Sequence, residues 1–245
     1  MKREKAYGKL RRGWIRLVLV CAALSLAAGA FSEGMDRQKQ SAAAGDIVVF
    51  GRYEQDGNAE NGPEPVEWLV LEAGETELFL VSRYCLDCRP FHGENISIQW
   101  DRCDLRKWMN TEMLQTLFTE HELALVMETA LKAGKHPRYT TSAGKDTTDR
   151  LFLLSFEDVE RFFPELDDRL GFATLYAKSL GAYVSRRTGA SGWWLRTTGH
   201  SPDDECRVSS EGHFVNYDVN YELDTVRPAV KIDAEAFRNG LPDPP

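Results

Sequence analysis

Cysteine and histidine are scarce in this chain of 245 residues, five of each, and neither is spaced for the common hydrolytic sites. His92, His121, His136, His200 and His213 are scattered, and His121-Glu122 has no histidine at 125, which excludes a zincin helix. Gly189-Ala190-Ser191-Gly192-Trp193 lacks the last glycine of a nucleophile elbow. No glycine-rich phosphate loop, internal repeat or heptad run occurs. No apolar run reaches the ~20 residues of a membrane-spanning helix. Positive charge is also short: 30 basic residues face 38 acidic ones, a net charge of −8. That balance argues against nucleic acid and anionic membrane as partners.

What basic charge there is gathers at the start. Lys2, Arg3, Lys5, Lys9, Arg11, Arg12 and Arg16 precede the apolar run 17–30, which ends in Ala28-Gly29-Ala30. This pattern is a secretory signal peptide over residues 1–30, and its engagement with the membrane serves export only. An uncleaved anchor is the alternative. Cleavage leaves 23 basic and 37 acidic residues, a net charge of −14, in a secreted or extracytoplasmic chain. The roughly 215 residues that remain suffice for one domain with a full core.

Cys85, Cys88, Cys103 and Cys206 survive cleavage. In an exported protein an even count reads first as disulfides, of which four cysteines allow three pairings. A Cys88–Cys103 bridge would close a loop of about 15 residues and stabilise by roughly 3 kcal/mol on the chain-entropy model. Cys85-x-x-Cys88 also has metal-ligand or redox spacing, but no second pair completes a zinc site. Arg89-Pro90 follows where a redox helix should begin.

Residues 31–44 are small and polar and read as a linker. The domain spans 45–235, with a disordered tail over 236–245. "DIVVFGRY", "VEWLVLEAG" and "LFLVSRY" are strands, the last two joined by a short hairpin loop. A helix capped by Asp101 or Asp104 carries Leu105, Trp108, Met109, Leu114 and Leu117 on one face. Residues 119–131 form a second helix, with a Thr119/Glu122 capping box. Residues 132–150 form a long polar loop, 151–155 a buried strand, and "FEDVERFF" a helix capped by Ser155. Residues 172–187 read as another helix. From 216 to 224 alternation is strict, with Tyr217, Val219, Tyr221 and Leu223 on one face.

Two patterns in the last third point to binding. Trp193 and Trp194 of "GWWLRTTG" must face opposite sides of a strand, one to the core and the other, with Arg196, to the surface. A flat ring beside a guanidinium suits sugar or peptide; a packing pair is the plainer reading. Asn216, Asp218, Asn220, Glu222 and Asp224 present hard oxygens of the kind calcium prefers, although the spacing is no EF-hand and a solvated strand face would look the same. Trp194, Arg196, Asn216, Asp218, Asn220 and Arg227 are the candidate ligand contacts. For Arg227 a structural ion pair competes with that role. No catalytic residue and no resident cofactor are assigned.

"FGRYEQDGN", "VEWLVLE", "LFLVSRYCLDCRPFH", "WDRCDLRKWMN", "LFLLSFEDVERFF", "GWWLRTTG" and "VRPAVKI" follow one another over residues 45–233. The series resembles a family of secreted bacterial proteins known only as a domain of unknown function. "ASGWWLRTTG" and "TVRPAVKI" bear a more distant likeness to the C-type-lectin-like fold of formylglycine-generating-enzyme relatives. That likeness implies a single α+β domain with a mixed or mainly antiparallel sheet, in which the opening strands meet the closing one. The reactive cysteine pair of that enzyme has one counterpart here, Cys206. Three functions follow as expectations: a binding module for an extracellular glycan or protein, a thiol or oxidative enzyme using Cys85 and Cys88, or a structural domain without a small ligand.

Overall fold

A computed structural model describes residues 42–240. The leader read over 1–30, the linker before residue 42 and the tail from 241 lie outside the described residues. The strands are β1 (Ile47–Tyr53), β2 (Glu64–Ala73), β3 (Glu77–Ser82), β4 (Asp87–Cys88), β5 (Thr129–Leu131), β6 (Thr147–Asp149), β7 (Leu151–Phe152), β8 (Trp193–Thr198), β9 (Asp204–Val208), β10 (Phe214–Asp218), β11 (Thr225–Val226) and β12 (Ala229–Asp233). The helices are short: α1 (Asp104–Trp108), α2 (Leu114–Leu117), α3 (Glu120–Leu123), α4 (Phe156–Phe162), α5 (Leu175–Ser179) and α6 (Ala234–Arg238). None is long and apolar enough to cross a membrane.

Two sheets carry the fold, with strand orders β1-β2-β3-β12-β7 and β10-β9-β8-β11-β4, while β5 and β6 pair separately. Every pairing is antiparallel except β11 with β8. The architecture is therefore a single, sheet-rich α+β domain.

In the first sheet, alternation turns Val48, Val66, Trp68 and Val70 inward. Trp68 donates its indole N–H to the Phe50 carbonyl at 2.6 Å. The register of β1 slips between Val49 and Arg52. Gly51 sits there at φ +71°, where a Cβ would come within 2.6 Å of the Leu117 carbonyl. The glycine lets β1 bend against the end of α2. As the closing strand, β12 pairs with β3 on one side and β7 on the other.

Local chemistry sets the helix starts. Thr119 with Glu122 and Ser155 with Asp158 form complete capping boxes. Neither expected aspartate caps α1; the Cys103 thiol does, accepting the Arg106 N–H. A π-turn over Met109–Met113 joins α1 to α2. The helix expected over 119–131 stops at Leu123, because Val126 bridges Ile232 and Met127 donates to the Lys231 carbonyl within β12. The helix expected over 172–187 is the five-residue α5, capped by Thr174 and followed by Gly181 at φ +111°. Residues 236–238, assigned to the tail, belong to α6, where Asp233 caps the start and Phe237 is buried.

The cysteine bridge is corrected. All four cysteines are buried free thiols, so Cys88 and Cys103 are not joined. Cys88 donates to the Glu222 carbonyl at 3.2 Å, and Cys103 is occupied at the α1 cap, donating to the Trp100 carbonyl at 3.5 Å.

Candidate functional site

The C-terminal residues chosen from sequence do not assemble into a surface. Trp193 and Trp194 are both fully buried. Consecutive residues of β8, Trp193, Trp194 and Leu195, are all fully buried, so both faces of the strand are covered and it has no outward side for either ring. Trp194 packs on Phe91 with ring centres 5.9 Å apart and donates to the Arg89 carbonyl at 2.9 Å. Arg196 turns inward too, pairing with Asp158 at 2.9 Å and donating to the Lys132 carbonyl.

Arg227 is buried between the Trp193 and Phe163 rings, 5.0 and 5.3 Å from their centres. Its partner is the Ser82 carbonyl at 3.0 Å rather than a carboxylate. Burial depresses its pKa. The 216–224 alternation breaks at Asp218, where β10 ends. Asn216 donates to the Tyr139 hydroxyl at 3.1 Å, and Asp218 and Asn220 are exposed. Asp224 points into the interior against Arg207. The five oxygen side chains therefore share no single face.

A cleft of about 200 Å³ opens elsewhere, where the end of β1, the residue after β4, the 104–117 helical stretch and α5 converge. Tyr53, Glu54, Arg89, Trp108, Glu112 and Tyr176 supply its aromatic and charged walls. At its base the Tyr53 hydroxyl donates to Asp87 Oδ2 at 2.6 Å. Asp87 Oδ1 accepts the Cys88 backbone N–H at 2.8 Å and faces Arg89 Nε at 3.2 Å. The Arg89 guanidinium lies 3.9 Å from the Trp108 ring centre, and Tyr176 meets Tyr53 edge-on at 6.0 Å.

This assembly holds a cation rigidly in reach of solvent. Burial pushes the Asp87 carboxyl above its ordinary range, against the pull of Tyr53 and Arg89. Burial, with Asp87 adding to it, likewise raises the Tyr53 phenol, which stays protonated and donating. Arg89 is 43% exposed, and its two terminal nitrogens have no partner among the described residues. The Glu112 carboxylate, one helical turn beyond Trp108 in the cleft wall, also has none. The cleft thus presents donors, acceptors and aromatic surface together.

Nearby, Glu54, Asp56 and Glu64 bring ligand oxygens within 4.8 Å of one another. Those carboxylates already accept the N–H groups of Gly57, Asn58 and Gln55, so the grouping is accounted for by the turn it stabilises.

The thiols are poorly placed for chemistry. Burial raises all four, Cys88 up to about 12 and Cys103 well above the ordinary range. Reactive cysteines need the opposite shift.

Sequence reasoning missed this cleft because its walls come from segments far apart in the chain. The available signal was "CLDCRP", where an aspartate and an arginine flank the second cysteine.

The chain belongs to the family described as Domain of unknown function (DUF6273), whose model matches residues 75–234. That match takes in Arg89, Trp108, Glu112 and Tyr176, whereas Tyr53 and Glu54 come from outside it. No curated protein and no solved structure matches the chain.

Proposed function

We propose that this member of the family is an exported binding module, C-type-lectin-like in fold, whose 53–89–108–176 cleft takes a sugar residue. The observation that carries the reading is the Arg89 guanidinium, stacked on Trp108, anchored by buried Asp87 and open at its outer edge. A sugar hydroxyl both donates and accepts. The open edge of Arg89 would supply the donors, and Glu112 in the same cleft the acceptor. Tyr176 offers a partly exposed ring for the apolar face of the sugar. The volume suits one sugar ring better than a folded partner. The exported setting rests on the basic leader and apolar run of residues 1–30. The lectin-like fold is supported by the antiparallel pairing of closing strand β12 with early strand β3. The thiol-enzyme reading finds no such support, since every thiol is buried and shifted upward.

The test is a thermal-shift screen of the full chain against neutral monosaccharides and short peptides. A ligand that binds only the folded form raises the melting temperature by mass action. A saccharide shift lost in Arg89→Ala and in Tyr176→Ala is the expected result. A peptide shift with the same losses would replace the sugar in this reading, and a saccharide shift indifferent to both variants would remove the cleft from it.

A further inference from the structure

A second group of rings, exposed or partly exposed, is linked to the cleft through the chain and by hydrogen bonds. After α5, the chain that supplies Tyr176 continues to Leu180 and Tyr183, which are 42% and 53% exposed. Tyr183 donates its backbone N–H to the Leu223 carbonyl at 3.1 Å. Leu223 is itself exposed, and only Glu222 separates it from Tyr221 in the chain. The Tyr221 ring lies 4.6 Å from that of Tyr217, which is 41% exposed. Two cross-links tie this surface to the cleft from below. The Cys88 thiol, next to Asp87, bonds the Glu222 carbonyl, and the Arg89 N–H bonds the Asp224 carbonyl.

The rings are mounted on a buried charge pair. Arg207 stacks 4.0 Å from the centre of Tyr217 and 5.4 Å from that of Tyr221, and it is neutralised by buried Asp224. With that ion pair beneath them the two tyrosines are pre-organised, so a ligand that stacks on them has little ordering to impose. The hydroxyls of Tyr183, Tyr217 and Tyr221 have no hydrogen-bond partner among the described residues. Flat apolar faces edged by free hydroxyls match the alternating surfaces of a sugar chain. Asp218 and Glu222 at the rim, within a chain of net charge −8, exclude an anionic polymer.

We infer that Tyr183, Tyr217 and Tyr221 extend the cleft into a linear site for a neutral oligosaccharide, with one sugar in the cleft and the following sugars across the tyrosines. This rests on the sugar reading of the cleft. Each stacked sugar should raise affinity by about 2- to 10-fold.

The experiment is titration calorimetry of the full chain with glucose, galactose, mannose and N-acetylglucosamine, and with their linear oligomers up to about six sugars. It is run on the native chain, Tyr217→Ala and Tyr183→Ala. Tyr183 is not stacked on Arg207, so its variant stays informative if Tyr217→Ala loosens the ion pair. The expected result is affinity that climbs with chain length, with the climb reduced in both variants and single-sugar binding unchanged. Binding of a single sugar with no gain on lengthening, or a gain that survives both substitutions, overturns the extension and leaves the cleft standing. No binding by any saccharide overturns the cleft reading together with it. Sedimentation of the same samples covers one more occupant: self-association abolished by Tyr183→Ala would make the tyrosines a contact between two copies and overturn the proposal.

Discussion

The two tryptophans of β8 and the tryptophan of α1 show how one residue type serves opposite ends of a molecule. Trp193 and Trp194 lie on a strand with neighbours on both sides and layers on both faces, and each satisfies its indole N–H on a backbone carbonyl. Trp108 ends a short helix at the edge of a cleft, and its ring carries a half-exposed guanidinium. The difference is one of neighbours. Where covering layers close, an aromatic ring adds packing; where they part, the same ring holds a polar group in place for something outside. Buried aromatics outnumber the exposed ones here, so a tryptophan pair in the sequence is a weak pointer to a site.

The comparison can be pressed hardest through the thiols, which belong to the interior. With Cys88 pushed up to about 12, its thiolate is about a thousandfold rarer at neutral pH than for an ordinary thiol. Alkylation of the native protein should be slower by at least that factor than alkylation of the unfolded chain, and mass spectrometry of timed samples measures the ratio. Rapid native labelling would place Cys88 with the surface instead.

Next in size is stability. Trp194→Ala should cost about 3–5 kcal/mol, and Trp108→Ala about 1–2 kcal/mol. Urea titration followed by circular dichroism compares them; equal losses would erase the distinction between inner and outer rings.

A smaller effect concerns Glu205, fully buried on β9 with neither carboxylate oxygen partnered. Burial alone holds its carboxyl well above the ordinary range. The folded state therefore keeps a proton that the unfolded chain releases. Its contribution is complete below the ordinary carboxylate range and is lost as pH rises through the folded pKa. Glu205→Gln should flatten the decline in melting temperature as pH rises above the ordinary carboxylate range. Burial shifts Asp87 and Asp224 in the same direction, so part of the decline should remain. An unchanged slope would sink the assignment to Glu205. The smallest change expected is in Arg89→Ala, whose partly exposed ion pair should contribute under about 1 kcal/mol to stability while its loss removes ligand shifts. A large drop in stability there would make Arg89 a structural residue.

Much of the frame was legible from residue order. Runs of β-branched and aromatic residues bounded by turn residues marked β1, β2 and β3, and the serine and threonine caps marked α3 and α4, because those signals are local and the backbone obeys them wherever the segment lies. Burial of Trp194 was not legible: what covers its ring is Phe91 and the Arg89 backbone, about a hundred residues earlier in the chain. The 216–224 alternation misled for a related reason, since it runs past the end of β10 through a turn that aims Asp224 inward. The cleft was least legible of all. Tyr53, Arg89, Trp108 and Tyr176 have no common spacing, and only the packing of four separate elements brings them together.

The place of β12 also sets a timetable. The last strand of the described residues lies between β3 and β7, completing the pairing of β3 and giving β7 its partner. A chain made or threaded from its N-terminus must hold the β1–β2–β3 meander with β3 as a bare apolar edge until residues 229–233 emerge. Such an edge is open to pairing with a second chain. The sequence separation of this closure predicts slow, late completion of the sheet. A truncation just before β12 should therefore yield chains that aggregate through β3, rather than a smaller folded domain.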